Sequence, residues 1–444
     1  KTTDGNIVTS DVEKATLLSD YFASVFTVDD GNLPQFTSNC TQNFDHFNCD
    51  EITIVKIVKG LKTKSAPGPD GFTPYFLKQI IARIAKPLCI VYQMSLNQGF
   101  VPSDWKIAHI IPAFKSGDPQ LASQYRPISL TSVFSKVLEK VVRDQMVKYL
   151  IVNNILPGNQ HGFMSKKSRV TNLLECLDKW SSNFDKGHQT DIIYLDYSKC
   201  FDSVCHSKLL YKLSQYGFKD SALHWVASFL TGRTQHVKVN NSLSPPQDVI
   251  SGVPQGTVLG PTLFLCFTAD LNSVVKYCNL SMYADDSKIF KEIQNNLDCL
   301  LLQLDLNEVI KWAAIWQLQL NATKTKHLCV GHCRFPFRYM VNGTVIETVD
   351  HIRDLGFIVQ SNLKFTIHCN NVIRKAYNTI RNTFNCFKGH KVEFYMKMYI
   401  TYIRPILESG SMVWSPLIKK NIDNIEKVQR YFTRRLPGLS SKTY

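Results

Sequence analysis

Leu280-Ser-Met-Tyr-Ala-Asp-Asp-Ser-Lys-Ile-Phe290 sets two adjacent carboxylates between two short apolar runs. The pattern predicts a strand, a tight turn and a second strand. Alternation along extended chain puts Ser281, Tyr283 and Asp285 on one face and Met282, Ala284 and Asp286 on the other. A hairpin tip with two acids is poor packing material, because the charges repel and are expensive to bury without a partner. A cation is the natural third member, and Mg²⁺ takes carboxylate oxygens together with substrate phosphates. A solvated Asp-Asp turn is the plain alternative, since Asp is a common turn residue. A second acidic strand weighs against it: Asp191-Ile-Ile-Tyr-Leu-Asp196 is an apolar run closed by an acid. Side by side in one sheet, the two strands would bring Asp196 and Asp285 to one edge. Two divalent ions about 3.5–4 Å apart would there clamp the attacking and leaving oxygens of a phosphoryl transfer.

The charge balance names the kind of partner. With 51 Lys and Arg against 36 Asp and Glu, the chain carries a net charge of +15, which calls for an extended anionic partner, nucleic acid first. Basic residues recur at Lys59 to Lys64, Lys166 to Arg169, Lys324 to Lys326 and from Arg374 to Arg435, so they form a track rather than a tail. At 444 residues there is room for two or three domains. The 13 cysteines are scattered and odd in number, which reads as reduced thiols in an intracellular protein. His327, Cys329, His332 and Cys333 are packed too tightly for an ordinary four-ligand zinc site and read as coincidence. No run of about 18 apolar residues occurs, so no membrane span is expected. The first residue is Lys1, with no signal-peptide pattern behind it, and the chain reads as a piece of something longer.

Ser10-Asp-Val-Glu13 is a capping box that starts an amphipathic helix near residue 11. Residues 29 to 50 read as a polar linker, and Glu51 to Leu61 as a second helix that ends in Lys-Ser-Ala-Pro-Gly-Pro-Asp-Gly71. That Pro and Gly run predicts a shaped loop, with Lys62 and Lys64 placed to meet phosphate. Trp105 to Phe114 alternates as a strand and delivers Lys115 into a turn, after which Gln124-Tyr-Arg-Pro-Ile-Ser-Leu130 follows. Lys115 as a point charge and Arg126 as a bidentate fork make a clamp suited to a triphosphate. Helices are expected at 135–149, 207–216, 220–230 and 262–275, and a strand at 235–239 turned back by Asn240-Asn241. Ser251-Gly-Val-Pro-Gln-Gly-Thr-Val-Leu-Gly-Pro261 has glycines that let backbone approach a base pair closely, and Gln255 can both donate and accept. Leu297 to Gln317 reads as a long helix with Trp312 and Trp316 on a core face. Asn342-Gly343 is a hairpin signal, and the chain from about Thr366 is helical and basic, a surface suited to a duplex backbone.

These pieces, in this order, resemble the reverse transcriptase domain of non-LTR (LINE-type) retrotransposons, of the jockey and CR1-like groups. The resemblance is carried by SAPGPDG, YRPISL, LDYSKCFDSV, SGVPQGTVLGPTLF, YADD, LNATKTK and RPILESGSMVWSP, which run nearly end to end. It implies an α+β, right-hand polymerase with fingers, palm and thumb, an antiparallel palm sheet and a helical thumb. On that plan residues 1–50 are an N-terminal extension, 51–185 fingers, 186–330 palm with part of the fingers interleaved, 331–365 a palm-thumb hairpin region, and 366–444 the thumb. The last residues, Leu436-Pro-Gly-Leu-Ser-Ser441, then look cut off inside a continuing thumb. Carried over by position, Asp196, Asp285 and Asp286 would hold two Mg²⁺ ions. Lys115 and Arg126 would bind the triphosphate of a dNTP. Phe201 would stack under the incoming sugar and exclude a 2′-hydroxyl, Gln255 and Gly256 would lie against the nascent base pair, and Lys324 would give a proton to the leaving pyrophosphate. Cys200 stands where the family usually has Ala, and Ser287 where it usually has Thr.

The resemblance further implies an RNA template, a DNA primer at a nick in target DNA, and action in the nucleus during integration after a cytoplasmic RNA–protein particle. Oligomeric state, template preference and target site stay open. Two rival readings stand beside it. An RNA-dependent RNA polymerase shares the carboxylates, but Phe201 and the Ala284 before Asp285 speak against it. A non-catalytic nucleic-acid binder descended from such an element keeps the same residues, and only activity separates the two.

Overall fold

Two contact units, each assembled from separated stretches of chain, make up the computed structural model, which describes residues 7–38 and 40–439. The expectation about the chain's end falls partly on Ser440 and Ser441, outside the described residues.

The first unit takes the chain up to Gly158, then Tyr197–Val274 and Glu308–Leu320. Ser10 starts the helix Asp11–Ala23 as its capping box predicts: its Oγ accepts the Glu13 N–H at 3.3 Å and donates to the Glu13 carboxylate at 2.8 Å. The helix lays Ala15, Leu18 and Phe22 on Ala108, Ile110 and Val237 of a sheet. In that sheet Ile107–Phe114 pairs antiparallel with Tyr125–Leu130 and parallel with Arg233–Val239, which also carries Ser242–Leu243 and Gln247–Val249. Residues 29 to 50 lack regular structure but do not behave as a linker. Phe44 donates its N–H to the Gly217 carbonyl at 2.8 Å and packs on Tyr149 and Phe218, while Phe47 is buried. Two aromatic anchors outweigh the polar composition around them. The helix expected over 262–275 is two, Gly260–Thr268 and Leu271–Val274, parted at Asp270. The Asp270 carboxylate is held by Trp312 Nε1 at 3.0 Å and by the buried Lys212 ammonium. Trp312 and Trp316 are core residues, as their spacing predicts.

The second unit comprises Asn159–Asp196, Val275–Asn307 and the chain from Asn321 on. Its sheet runs in the order Glu347–Thr348, Lys326–Val330, Gln189–Leu195, Asp286–Ile293, Asn279–Tyr283. All neighbours are antiparallel except the first pair, so the expected antiparallel sheet is mixed. Parallel neighbours need a crossover, and residues 331–346 supply it, with Asn342 and Gly343 at positive φ in a hairpin between Met340–Val341 and Thr344–Val345. Helix Arg169–Asp185 covers one sheet face with Leu173, Cys176 and Trp180 against Ile192, Phe290 and Leu328. A separate hairpin, His351–Asp354 with Phe357–Gln360, precedes a helical end in which Thr366–Cys386 and Lys419–Thr433 are the longest members. Both classes of structure are thus present in quantity, in mixed sheets. Among the described residues no helix is long and apolar enough to cross a membrane.

Candidate active site

The paired acids sit at the tip of a hairpin in the second unit, as the strand-turn-strand pattern predicts. Asn279–Tyr283 and Asp286–Ile293 pair with Tyr283 opposite Asp286 and Ser281 opposite Lys288, leaving Ala284-Asp285 as a two-residue turn. Cross-strand partners share a face. Asp286 therefore returns to the side of Ser281 and Tyr283, the reverse of the face read from the sequence, because a two-residue turn resets the alternation. The neighbouring strand corrects a second expectation. Leu195 pairs with Ser287, so the next step of the register sets Asp196 beside Asp286, while Asp285 occupies the turn itself.

The turn is strained and clamped. Ala284 has φ +56°, a region non-glycine residues seldom enter. Gln160 Oε1 accepts the Ala284 N–H at 2.9 Å and the Gly162 N–H at 2.7 Å. A Cβ on Gly162 would come within 2.2 Å of the Ala284 nitrogen, so this loop reaches the turn only because a glycine stands there. Asn172 Nδ2 donates to Ser281 Oγ at 2.8 Å and to the Met282 carbonyl at 3.1 Å, fixing the strand that enters the turn. Sequence reasoning singled out neither Gln160 nor Asn172. The Gln160 signal was a polar residue in the Gly-flanked loop 158–162, and Asn172 carried none beyond being polar near a helix start.

Asp196 and Asp286 line a cavity of about 190 Å³ together with Lys324 and Arg353. Asp196 is 44% exposed, with Oδ2 4.0 Å from the Lys324 ammonium. The loop carrying Lys324 is tied to the Asp196 strand: Asn321 donates its N–H to the Asp196 carbonyl at 2.8 Å, and its side-chain Oδ1 accepts the Lys324 N–H at 3.2 Å. Asp286 is pushed up to about 6, first by desolvation against the cavity wall and next by repulsion from Asp285, with Asp354 and Asp196 adding and Lys288 opposing. A carboxyl made harder to ionise, first by burial and then by neighbouring carboxylates, marks a place short of positive charge. Hard oxygen donors on adjoining strand ends suit a divalent cation, although among the described residues no three His, Cys, Asp or Glu side chains converge as a closed cage. Beneath the acids lies a buried ion pair, Lys288 with Asp354, 4% and 5% exposed.

The remaining residues singled out in the sequence belong to the first unit and form two groups. Lys115 and Arg126 lie at the open end of one strand pair, where Ala113 faces Arg126 and Phe114 faces Tyr125, and both charged side chains are exposed. Gln255 joins three pieces: its carbonyl accepts the Ser129 N–H at 2.7 Å, and its Nε2 donates to Asp202 Oδ1 at 2.9 Å. Gly256, at φ +106°, has no space for a Cβ, which would lie 2.8 Å from the Ser129 carbonyl oxygen. Burial pushes Asp202 up to about 6 against the opposing pull of Gln255 and Lys199. Phe201 stacks on Phe264 at 4.2 Å and 14°. Glu139, which the sequence reading passed over, is buried and accepts the Val258 and Leu259 N–H groups at 2.7 and 3.2 Å, fixing the far end of the Gln255 loop.

An acidic hairpin beside an acid-ended strand, with a glycine-rich loop docked on a second sheet, defines a polymerase-type nucleotidyl-transfer scaffold. The chain belongs to the reverse transcriptase family: residues 114–396 match the family model described as reverse transcriptase (RNA-dependent DNA polymerase). It is 28% identical over 400 residues to the probable RNA-directed DNA polymerase from transposon BS of Drosophila melanogaster, covering 86% of this chain and 44% of that protein. It is 27% identical over 402 residues to the RNA-directed DNA polymerase from mobile element jockey of the same species, covering 87% and 43%. A 209-residue stretch, 47% of this chain, is 30% identical to 28% of the retrovirus-related Pol polyprotein from type-1 retrotransposable element R2 of Popillia japonica. The chain thus spans under half the length of these relatives. The family generally works with divalent metal ions.

Proposed function

We propose that this chain is the RNA-directed DNA polymerase portion of a non-LTR retrotransposon protein, extending a DNA 3′-hydroxyl on an RNA template with dNTPs. The observation that carries the reading is the register that sets Asp196 beside Asp286, with Asp285 in the adjoining turn, in a chain whose residues 114–396 match the family. Asp196, Asp285 and Asp286 are the groups that hold two Mg²⁺ ions. When bound, these ions ease loss of the primer hydroxyl proton and neutralise charge on the phosphates. Lys115 and Arg126 grip the triphosphate, and Lys324, beside Asp196, delivers a proton to the departing pyrophosphate. The Phe201 ring, stiffened by its stack on Phe264, takes the sugar edge where a 2′-hydroxyl would clash. Gln255 and Gly256 form the wall against the new base pair. Most of the rate comes from positioning and charge stabilisation.

In this reading the acidic sheet is a palm, the Lys115–Arg126 sheet belongs to fingers and the helical end is a thumb, following the segments set out from the sequence. The template is the element's RNA, the primer a nick in target DNA, and the work is done in the nucleus after transit as an RNA–protein particle. The test is extension of a labelled DNA primer on an RNA template by the purified chain with Mg²⁺, with dNTPs and rNTPs supplied separately. Extension with dNTPs alone is expected; a preference for rNTPs would overturn the assignment of Phe201, and binding without extension would favour a non-catalytic binder.

A further inference from the structure

The Asp202 carboxyl is costly to ionise where it sits, and nothing in the proposed chemistry uses it. Burial pushes it up, and of the two groups that pull the other way Gln255 comes first and Lys199 second. The loop that carries Gln255 does not need this carboxylate for its own placement. Ser251 Oγ donates to the Asp202 carbonyl at 2.8 Å, and the Gly252 and Val253 N–H groups donate to the Val204 and Phe201 carbonyls, each at 2.8 Å. Gly252, at φ +85°, lies so close that a Cβ would come within 2.7 Å of the Asp202 carbonyl oxygen. On the other side, the Gln255 carbonyl is held by the Ser129 N–H, and Glu139 holds the Val258 and Leu259 N–H groups. What these contacts leave free is the rotation of the Gln255 side-chain amide.

An ionised carboxylate only accepts, so the 2.9 Å bond between the two side chains is made by the amide nitrogen. Turning the amide over would set two acceptors face to face. Gln255 Oε1 is therefore aimed away from Asp202; it meets no donor among the described residues and is not sealed from solvent. We propose that Asp202 is a positioning residue for the incoming nucleotide: it holds the Gln255 amide with its nitrogen inward, so that an acceptor rather than a donor meets the dNTP. The ionised partner makes this a stronger hold than a neutral one would be. The inference rests on the reading of Gln255 as part of the wall against the new base pair.

The test is steady-state primer extension by the full chain at varied dNTP concentration, with thermal melting of every variant. Asp202→Leu frees the amide and is expected to raise the dNTP KM about tenfold, the worth of a hydrogen bond to a charged group, with kcat within about twofold. Asp202→Asn, whose Oδ1 accepts the same N–H, is expected to keep KM within about threefold of the native chain. In a Gln255→Met background Asp202→Leu is expected to add nothing, because residues that act as one unit do not add. Should Asp202→Leu fail to fold, Asp202→Ala makes the same comparison without crowding the loop. A KM rise that persists in the Gln255→Met background overturns the inference, as does a loss of kcat and Tm with KM unchanged, the mark of a purely structural role. A native KM in Gln255→Met alone overturns the reading of Gln255, and the inference with it.

Discussion

At the residue scale, two carboxyl groups titrate near 6 for different reasons and with different consequences. Asp286 does so at the mouth of a cavity, crowded by desolvation and by Asp285. With Asp286 as a cation ligand, as proposed, proton and cation compete for it, so the divalent-ion concentration that half-saturates primer extension is expected to rise as pH falls below about 6, by up to about tenfold per pH unit. Measuring that concentration between pH 5 and 8 checks it, and a flat profile speaks against Asp286 as a ligand. Asp202 does so by burial under the Gln255 loop. Its folded-state value of about 6 lies above the ordinary carboxyl value of 3.8, so between the two the native state holds more protons than the unfolded one. Stability from this group falls as pH rises through that window, by on the order of 2–3 kcal/mol. Asp202→Asn keeps the shape and removes the titration. Denaturant unfolding at pH 4.5 and 7 should show the native chain losing stability relative to the variant at the higher pH.

At the element scale, the acidic hairpin depends on contacts made far from it in sequence. Lys288 and Asp354 lie 66 residues apart and meet fully buried. Asp354→Ala should cost about 3–5 kcal/mol by leaving an uncompensated ammonium, and Lys288→Met with Asp354→Leu should recover most of it. Equal losses in the single and double variants, measured by urea unfolding, would contradict this. The same separation explains what the sequence could show. The Asp-Asp hairpin, the Asn342-Gly343 turn and the Ser10 cap are local, written in neighbouring residues, and they are legible. Register is not local: one turn residue more or less moves Asp286 to the other face, and only pairing with Gln189–Leu195 sets Asp196 beside it. Gln160, Asn172, Glu139 and Asp354 act through contacts that no short window contains. The helix Pro74–Gln98 escaped notice because Pro87 lies inside it, where a proline reads as a helix breaker although the helix runs through, and because Ile90, Val91 and Met94 are exposed, blurring the apolar period.

At the scale of the whole molecule, the excess of 15 positive charges is the feature that most directly sets how the chain meets its partners. Binding to an RNA–DNA hybrid should weaken steeply with salt, with a linear fall of log affinity against log salt whose slope counts the phosphates neutralised. A salt-independent affinity would mean the basic residues along the chain do not line a nucleic-acid path. Binding alone does not distinguish a polymerase from a binder, and the carboxylates do. The most direct measurement is therefore DNA-primer extension on an RNA template by the native chain and by the Asp285→Ala, Asp286→Ala double variant, with hybrid affinity measured for both. The account requires that extension be abolished in the variant while hybrid affinity stays within about twofold, since in the proposed reading these acids hold cations rather than phosphates. Extension that survives loss of both acids would contradict it.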